Sequence, residues 1–111
     1  MNTIIESPHI ILTEQLQDYI MEKASKLAHI DEHLLKCEVT IKLDNSSTDD
    51  NKVCEMIVSG DKRRLFASSR SKTFEESVLQ VVHALEKQIE EKKIAPRSNG
   101  KKIEMNTDYQ S

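Results

Sequence analysis

The clearest pattern of hydrophobic and polar positions lies in residues 73–93. Apolar side chains recur there every three or four residues, which is the spacing of one buried stripe along an amphipathic helix. These positions are Phe74, Val78, Val81, Val82, Leu85 and Ile89. Thr73 followed by Glu76 matches a capping box, in which the hydroxyl and the carboxylate each bond a free backbone N–H. The pattern predicts a helix over residues 73–93, with its stripe buried in the domain.

A second helical stripe lies near the N-terminus. Its apolar members are Leu16, Ile20, Ala24 and Leu27. Thr13 precedes the stripe as a favourable N-cap, and Glu14 falls in the first turn, where the helix dipole favours a negative charge. We therefore predict a first helix over residues 14–28.

Alternation of apolar and polar residues predicts a sheet. In residues 35–43 every second residue from Cys37 onward is apolar, which is typical of a half-buried strand. Residues 44–52 contain no apolar residue and many turn formers, so we predict a loop there, and a tight turn over residues 59–62. The predicted strands are residues 2–6, 35–43, 53–58 and 64–69.

The predicted order of elements is β-α-β-β-β-α. A β-α-β unit crosses over right-handed in nearly all proteins, which places the first strand parallel to the second and beside it. Each helix has one apolar face, so both should cover the same side of the sheet. The sequence therefore predicts an α+β domain, with a four-stranded mixed sheet and two helices packed on one face. We assign residues 1–95 to this domain, and residues 96–111, which lack a hydrophobic pattern, to a flexible tail.

Length and composition limit the class of protein. The chain has 111 residues, of which 32% are charged and 4% aromatic, and its formal net charge is −3. These values predict one well-solvated domain and argue against a generally basic nucleic-acid binder, although a local basic patch can still bind. Two cysteines, no apolar run of membrane-spanning length and no basic segment before the first apolar residues predict a cytoplasmic protein with reduced thiols.

Signals for catalysis or for a cofactor are weak. The four histidines are scattered, and no cysteine or carboxylate motif completes a metal site around His29 and His33, the one pair with helical spacing. With two glycines in the chain, a glycine-rich phosphate loop is absent from the sequence. We therefore predict no enzyme activity, no metal, no cofactor and no small-molecule substrate.

The two cysteines fall on strands that are predicted to be neighbours. If Leu43 pairs with Val53 across the loop, Cys54 faces Lys42 and lies well away from Cys37. A disulfide needs its two Cα atoms within about 7 Å. We therefore predict two free thiols.

Positive charge concentrates in residues 62–72. This segment has no acidic residue and five basic ones, which are Lys62, Arg63, Arg64, Arg70 and Lys72. The predicted helices add Lys23, Lys26, Lys87, Lys92 and Lys93. If the helices are neighbours, these groups can converge on one side and hold RNA phosphates, with counterion release supplying most of the affinity. The alternative is an ordinary solvated face, which the glutamates of the second helix favour.

Three segments together resemble a known family. They are LTEQLQDYIMEKASKLAHI (residues 12–30), CEVTIKL (residues 37–43) and LFASSRSKTFEESVLQVVHALEKQIEEKK (residues 65–93). In this order, over about residues 1–95, the chain resembles the ribosome hibernation-promoting factors, also called ribosome-associated inhibitor A or sigma-54 modulation proteins. The resemblance implies a bacterial cytoplasmic protein without catalysis. Such a protein binds the small ribosomal subunit and its ribosomal RNA, in the channel for messenger and transfer RNA, and inhibits translation in stress or stationary phase.

The resemblance also marks candidate RNA-binding residues. Lys23, Lys26 and Lys87 match positions where the family has basic helix residues that face ribosomal RNA. The chain departs from the family pattern at Ala84 and Glu91, where basic residues are common. It resembles the short form, which lacks the second domain of the long members, so we do not expect it to pair ribosomes by itself. The full set of candidates is Lys23, Lys26, Lys87, Lys92, Lys93, Arg70 and Lys72, with the basic turn Lys62, Arg63 and Arg64.

Two alternatives stay open. The chain can be a module for other structured RNA, or a transcription regulator that acts by protein contact, as the sigma-54 name indicates. Binding to isolated duplex RNA would favour the first, and retention by RNA polymerase would favour the second.

Overall fold

The computed structural model describes residues 1–45 and 48–94. Its strands form one sheet in the order β1-β2-β3-β4, with β1 parallel to β2 and the other pairs antiparallel. The predicted α+β fold, with two helices on one face of a mixed sheet, is confirmed. The predicted tail, residues 96–111, lies outside the described residues. The elements are β1 (Asn2–Glu6), α1 (Glu14–Ile30), β2 (Leu34–Leu43), β3 (Lys52–Gly60), β4 (Arg63–Ser71) and α2 (Phe74–Ile94).

Helix α1 begins where the sequence predicts and ends two residues later. The Thr13 hydroxyl accepts a hydrogen bond from the Leu16 N–H at 3.1 Å, which confirms the N-cap. The predicted end at residue 28 is wrong because Ile30 still packs against the core and the N–H of Asp31 still reaches the Leu27 carbonyl at 3.1 Å. The four residues of the predicted stripe are buried, which confirms that interpretation.

Helix α2 is capped by Thr73, whose hydroxyl accepts a hydrogen bond from the Glu76 N–H at 3.1 Å. Its stripe is buried from Val78 to Ile89, as predicted, whereas Phe74 in the first turn is only half-buried. Full burial of one such side chain contributes about 1.5–3 kcal/mol. This helix therefore supplies a large share of the core.

The predicted pairing of Leu43 with Val53 is wrong by one residue. Leu43 lies opposite Lys52, and the Asp44 N–H bonds the Asn51 carbonyl at 2.9 Å, which closes the loop one residue earlier. Cys54 therefore lies opposite Ile41 and not Lys42. A slip of one residue turns every side chain to the other face of a sheet, so the observed register is the one that buries the apolar residues of both strands.

The β3–β4 hairpin is longer than predicted, because β3 runs to Gly60 and β4 starts at Arg63. Its turn is reduced to Asp61 and Lys62, and Lys62 adopts a left-handed φ of 66°. A Cβ atom on Gly60 would lie 2.1 Å from the His33 carbonyl oxygen, so glycine lets the end of β3 approach the backbone before β2.

The two faces of the sheet have different surroundings. The face toward α1 and α2 carries the core residues, including Cys37, Val39 and Met56, which are buried completely or nearly so. On the opposite face no described element covers the strands, and Phe66 is 52% exposed. A binding partner can therefore meet the domain on its helices or on its uncovered sheet face.

Candidate nucleic-acid interface

The basic residues of β4 divide between the two faces of the sheet. Side chains alternate along a strand, so neighbouring residues point in opposite directions. Arg63, Ser69 and Ser71 turn toward the helices, where they contact the end of α1 and residues of α2. Arg64 and Arg70 are exposed on the opposite face. The predicted basic cluster of residues 62–72 is therefore not one patch.

Arg63 is held by an ion pair at the C-terminal end of α1. Its guanidinium donates to the carboxylate of Asp31, which is 5% exposed and also accepts a hydrogen bond from the His33 N–H at 2.9 Å. The Arg63 Nη2 atom is buried and has no hydrogen-bond partner among the described residues. This geometry gives Arg63 a structural contact inside the domain.

The helix surface carries three of the predicted RNA-binding lysines. Lys26 and Lys87 are exposed, whereas the side chain of Lys23 is only 18% exposed. The Lys23 ammonium lies 5.2 Å from the centre of the Tyr19 ring and 3.9 Å from the Glu22 carboxylate. A cation over an aromatic face is attracted by the ring quadrupole, so this lysine is partly fixed in position.

Tyr19 lies where the two helices approach each other. Burial raises the pKa of its hydroxyl, and the carboxylates of Glu75 and Glu22 raise it further, against an opposing effect of Lys26. Glu75 lies in the first turn of α2, so the Tyr19 side of α1 faces the start of α2. The Tyr19 hydroxyl is therefore neutral at pH 7 and lies between charges of both signs.

Acidic residues alternate with the lysines on this surface. The exposed acids of the two helices are Glu14, Asp18, Glu22, Glu75, Glu76, Glu90 and Glu91. Lys92 and Lys93 belong to α2, but their side chains are outside the described part of the chain. The described part of the helix surface is thus of mixed charge, and its exposed lysines do not form a purely basic patch.

The uncovered sheet face holds basic residues that the sequence analysis did not select. Lys36 pairs with Glu38 at 3.7 Å, and Lys42 pairs with Glu55 at 3.0 Å. Period-two alternation in β2 already placed Lys36, Glu38 and Lys42 on one side, but Glu55 lies on β3 and could not be assigned to the same face without the register. These pairs neutralise the part of the face that is formed by β2 and β3.

Arg70, on the same face, donates to the Asp44 carboxylate in the loop between β2 and β3. A hydrogen bond from Thr48 is the main cause that lowers the pKa of Asp50, and the positive charges of Arg70 and Lys72 lower it further. The loop therefore brings carboxylates to the C-terminal end of β4.

The thiols are buried and give no sign of a nucleophile. Burial raises the pKa of Cys37 to about 11 and that of Cys54 to about 12, so both are protonated at pH 7. Within residues 1–45 and 48–94, no group of three or more His, Cys, Asp and Glu side chains could hold a metal ion. None of the helices in this part of the chain is long and apolar enough to cross a membrane.

The fold and its surface define a small α+β domain with two helices on one face of the sheet and charged residues on both faces. Residues 3–94 match the family described as sigma 54 modulation protein / S30EA ribosomal protein. The chain belongs to this family, which confirms the resemblance seen in its sequence.

Two solved structures share the fold. A ribosomal subunit interface protein from Coxiella burnetii superposes with a TM-score of 0.71 at 16% identity, covering 84% of this chain and 98% of that one. The N-terminal domain of Protein Y from Thermus thermophilus gives a TM-score of 0.69 at 18% identity, covering 82% of this chain and 98% of that one. The chain matches none of the curated proteins with which it was compared.

Proposed function

We propose that this protein is a ribosome hibernation factor. It binds the small ribosomal subunit in the channel for messenger and transfer RNA, and so inhibits translation in stress or stationary phase. It acts in the cytoplasm by occupying a site, without catalysis, cofactor or small-molecule substrate.

The observation that carries this proposal is the family match over residues 3–94, which spans every element of the fold. One of the structures that share the fold supports it, because that protein is called a ribosomal subunit interface protein. The fold places two helices side by side on one face of the sheet, which gives a rigid surface for RNA of fixed shape.

The proposed contact surface is the solvent side of the helices, with Lys23, Lys26 and Lys87 on RNA phosphates and Lys92 and Lys93 as further candidates. A folded surface can follow the backbone of structured RNA without reading bases. The exposed acids of the same helices limit how much RNA this surface can contact, so a few well-placed lysines carry the binding. Lys23 is restrained by Tyr19 and is less exposed than Lys26 and Lys87.

Inhibition can be tested in a cell-free translation system. Purified protein added before messenger and initiator transfer RNA should reduce peptide synthesis in proportion to the ribosomes that it occupies. Preincubation of the ribosomes with both RNAs should protect them, because the channel is then filled. Full synthesis at a several-fold excess of the protein over ribosomes, or equal inhibition with and without preincubation, would contradict occupation of this channel.

A second candidate function follows from the description of the family, which includes modulation of sigma 54. In that case the protein would bind a component of the transcription machinery by protein contact. Retention of the chain on immobilised RNA polymerase with sigma 54, together with failure to bind small subunits, would favour this function over the first.

A further inference from the structure

We infer that the uncovered side of β4 is a second RNA-binding surface, which takes single-stranded RNA. In this surface a base stacks on Phe66, while Lys62, Arg64, Arg70 and Lys72 hold phosphates. The inference is independent of the proposed function, which concerns the helices on the opposite face.

The first observation is the row of side chains along β4. Arg64, Phe66, Ser68 and Arg70 alternate with the buried residues and project from the uncovered face. Phe66 is 52% exposed in the middle of the strand, and half-buried Ile57 lies directly opposite it on β3. An exposed aromatic ring supported on one side by an aliphatic residue presents a flat surface on which a base can stack.

The second observation concerns the edge of the sheet. β4 is an edge strand, and such strands often recruit another strand through their free backbone groups. Here the Gln88 amide donates to the Phe66 carbonyl at 3.0 Å, so α2 already occupies the acceptor at the centre of the edge. The Ser69 hydroxyl also donates to Gln80 of the same helix. A strand added at this edge would have to break the bond to the Phe66 carbonyl, whereas a partner that meets the side chains of the face leaves it intact.

The third observation is the distribution of charge. The lysines of β2 on this face are paired with glutamates, and Glu55, which borders the row on β3, is the partner of Lys42 at 3.0 Å. Lys62 and Arg64 are exposed and form no ion pair within the described part of the chain. On this face, positive charge is thus in excess only along β4. A narrow row of positive charge is complementary to one phosphate backbone, whereas a duplex or a large acidic surface would need a wider basic area.

The length of the row also fits a short single strand. From Arg64 to Arg70 the strand advances six residues, which is about 20 Å at a rise of about 3.3 Å per residue. A few nucleotides can extend over this distance, with one base on Phe66 and phosphates near the basic residues at each end.

The loop between β2 and β3 should weaken this binding. Asp44 pairs with Arg70, and Asp50 lies close enough to Arg70 and Lys72 for their charges to lower its pKa. These carboxylates occupy the same basic groups that a phosphate would contact. Replacing Asp44 with Asn should therefore strengthen binding of RNA.

The experiment measures fluorescence anisotropy of a labelled ten-nucleotide oligouridine with the full chain at low salt. Wild type should bind it, and bind a ten-base-pair RNA duplex more weakly. Phe66→Leu keeps an apolar side chain opposite Ile57 but removes the ring, so it should weaken binding at least about fivefold. Arg64→Gln should weaken binding and lower the slope of log affinity against log salt by somewhat less than one.

Lys36→Gln is the matched control, because it removes one positive charge from the same face outside the row. It should leave the affinity within about twofold of wild type, and Asp44→Asn should raise it. Circular dichroism and urea midpoints must match wild type for each variant. No binding by wild type, equal binding by Phe66→Leu, or equal losses in Arg64→Gln and Lys36→Gln would each overturn the inference. None of these results depends on ribosomes, so failure here is separate from failure of the proposed function.

Discussion

The carboxylate of Asp31 and the guanidinium of Arg63 join the end of α1 to the β3–β4 hairpin, across 32 positions of the chain. The backbone of Asp31 caps the helix on Leu27, and its side chain also accepts from the His33 N–H. One buried residue thus fixes the helix end, the turn into β2 and the hairpin. Because Arg63 forms this ion pair, it is not one of the exposed basic residues of the hairpin.

We predict that this pair stabilises the fold. Asp31→Ala and Arg63→Ala should each lower the free energy of unfolding by about 1–3 kcal/mol, which is less than for a fully buried pair because Arg63 is 25% exposed. The double variant should lose less than the sum of the single losses. Arg64→Ala, on the neighbouring exposed position, should change stability by no more than about 0.5 kcal/mol. Strict additivity in urea unfolding would show that the two residues do not interact.

The second prediction concerns the core. Leu85→Ala should cost about 2–5 kcal/mol, because Leu85 is fully buried between α2 and the sheet and its truncation leaves a cavity. Leu79→Ala is the matched control, since Leu79 lies on the same helix and is 38% exposed. Denaturant unfolding that gives a loss below about 0.5 kcal/mol for Leu85→Ala would mean that this side of α2 does not form the core.

The third prediction concerns the thiols. Burial holds the pKa of Cys37 at about 11 and that of Cys54 at about 12 in the folded protein, whereas both thiols ionise near pH 9.0 when unfolded. At pH 8 an aromatic disulfide reagent should therefore react slowly with the native protein and rapidly with two thiols in denaturant. Rapid reaction of either thiol in the native protein would contradict this prediction. So would fewer than two reactive thiols in denaturant after purification under reducing conditions.

The same pKa shifts predict how stability changes with pH. Below about pH 9 the thiols are protonated in both states, so their contribution to stability is complete. Above about pH 9 the thiols of the unfolded chain release protons that the folded protein retains. Stability should therefore fall as the pH rises toward the folded-state pKa values of about 11 for Cys37 and about 12 for Cys54. The double variant Cys37→Ala/Cys54→Ala should show a shallower decline of the urea midpoint between pH 8 and pH 10. An identical decline would mean that other groups cause it.

The fourth prediction concerns the helix surface. Replacing Lys23, Lys26 and Lys87 with Gln should weaken binding to small subunits and reduce the dependence of affinity on salt, since each lost phosphate contact lowers the slope by somewhat less than one. The fold should persist because none of the three belongs to a buried stripe.

The control for this variant removes the same charge elsewhere. It replaces three lysines of β2 and β3 with Gln as well; these are Lys36, Lys42 and Lys52. The control should bind small subunits as wild type does. Equal weakening in both triple variants would show that net charge, and not the helix surface, determines the binding.

The period of the hydrophobic pattern explains how much of the fold could be predicted. The stripes ending at Leu27 and Ile89 follow the helical repeat, and the strand from Cys37 follows the two-residue repeat, so element order and core depend on local sequence. The register between Leu43 and Lys52 depends on where a polar loop closes, and none of the loop residues carries a pattern that shows it.

The candidate site was harder to predict because charged residues follow no sequence repeat that shows which of them lie on the same surface. Arg63 and Arg64 are chemically alike, and only the alternation of β4 around buried Leu65 separates their faces. That signal was present in the sequence. The partner of Arg63, by contrast, is Asp31 on a distant element, and no local pattern connects the two.

Binding to the ribosome is tested most directly by pelleting the full chain with separated ribosomal subunits at two salt concentrations. We predict that the protein pellets with small subunits at close to one copy per subunit, that it stays in solution with large subunits, and that the bound fraction falls as salt rises. A chain that remains in the supernatant with small subunits at low salt, or that pellets equally with both subunits, would contradict the proposed function.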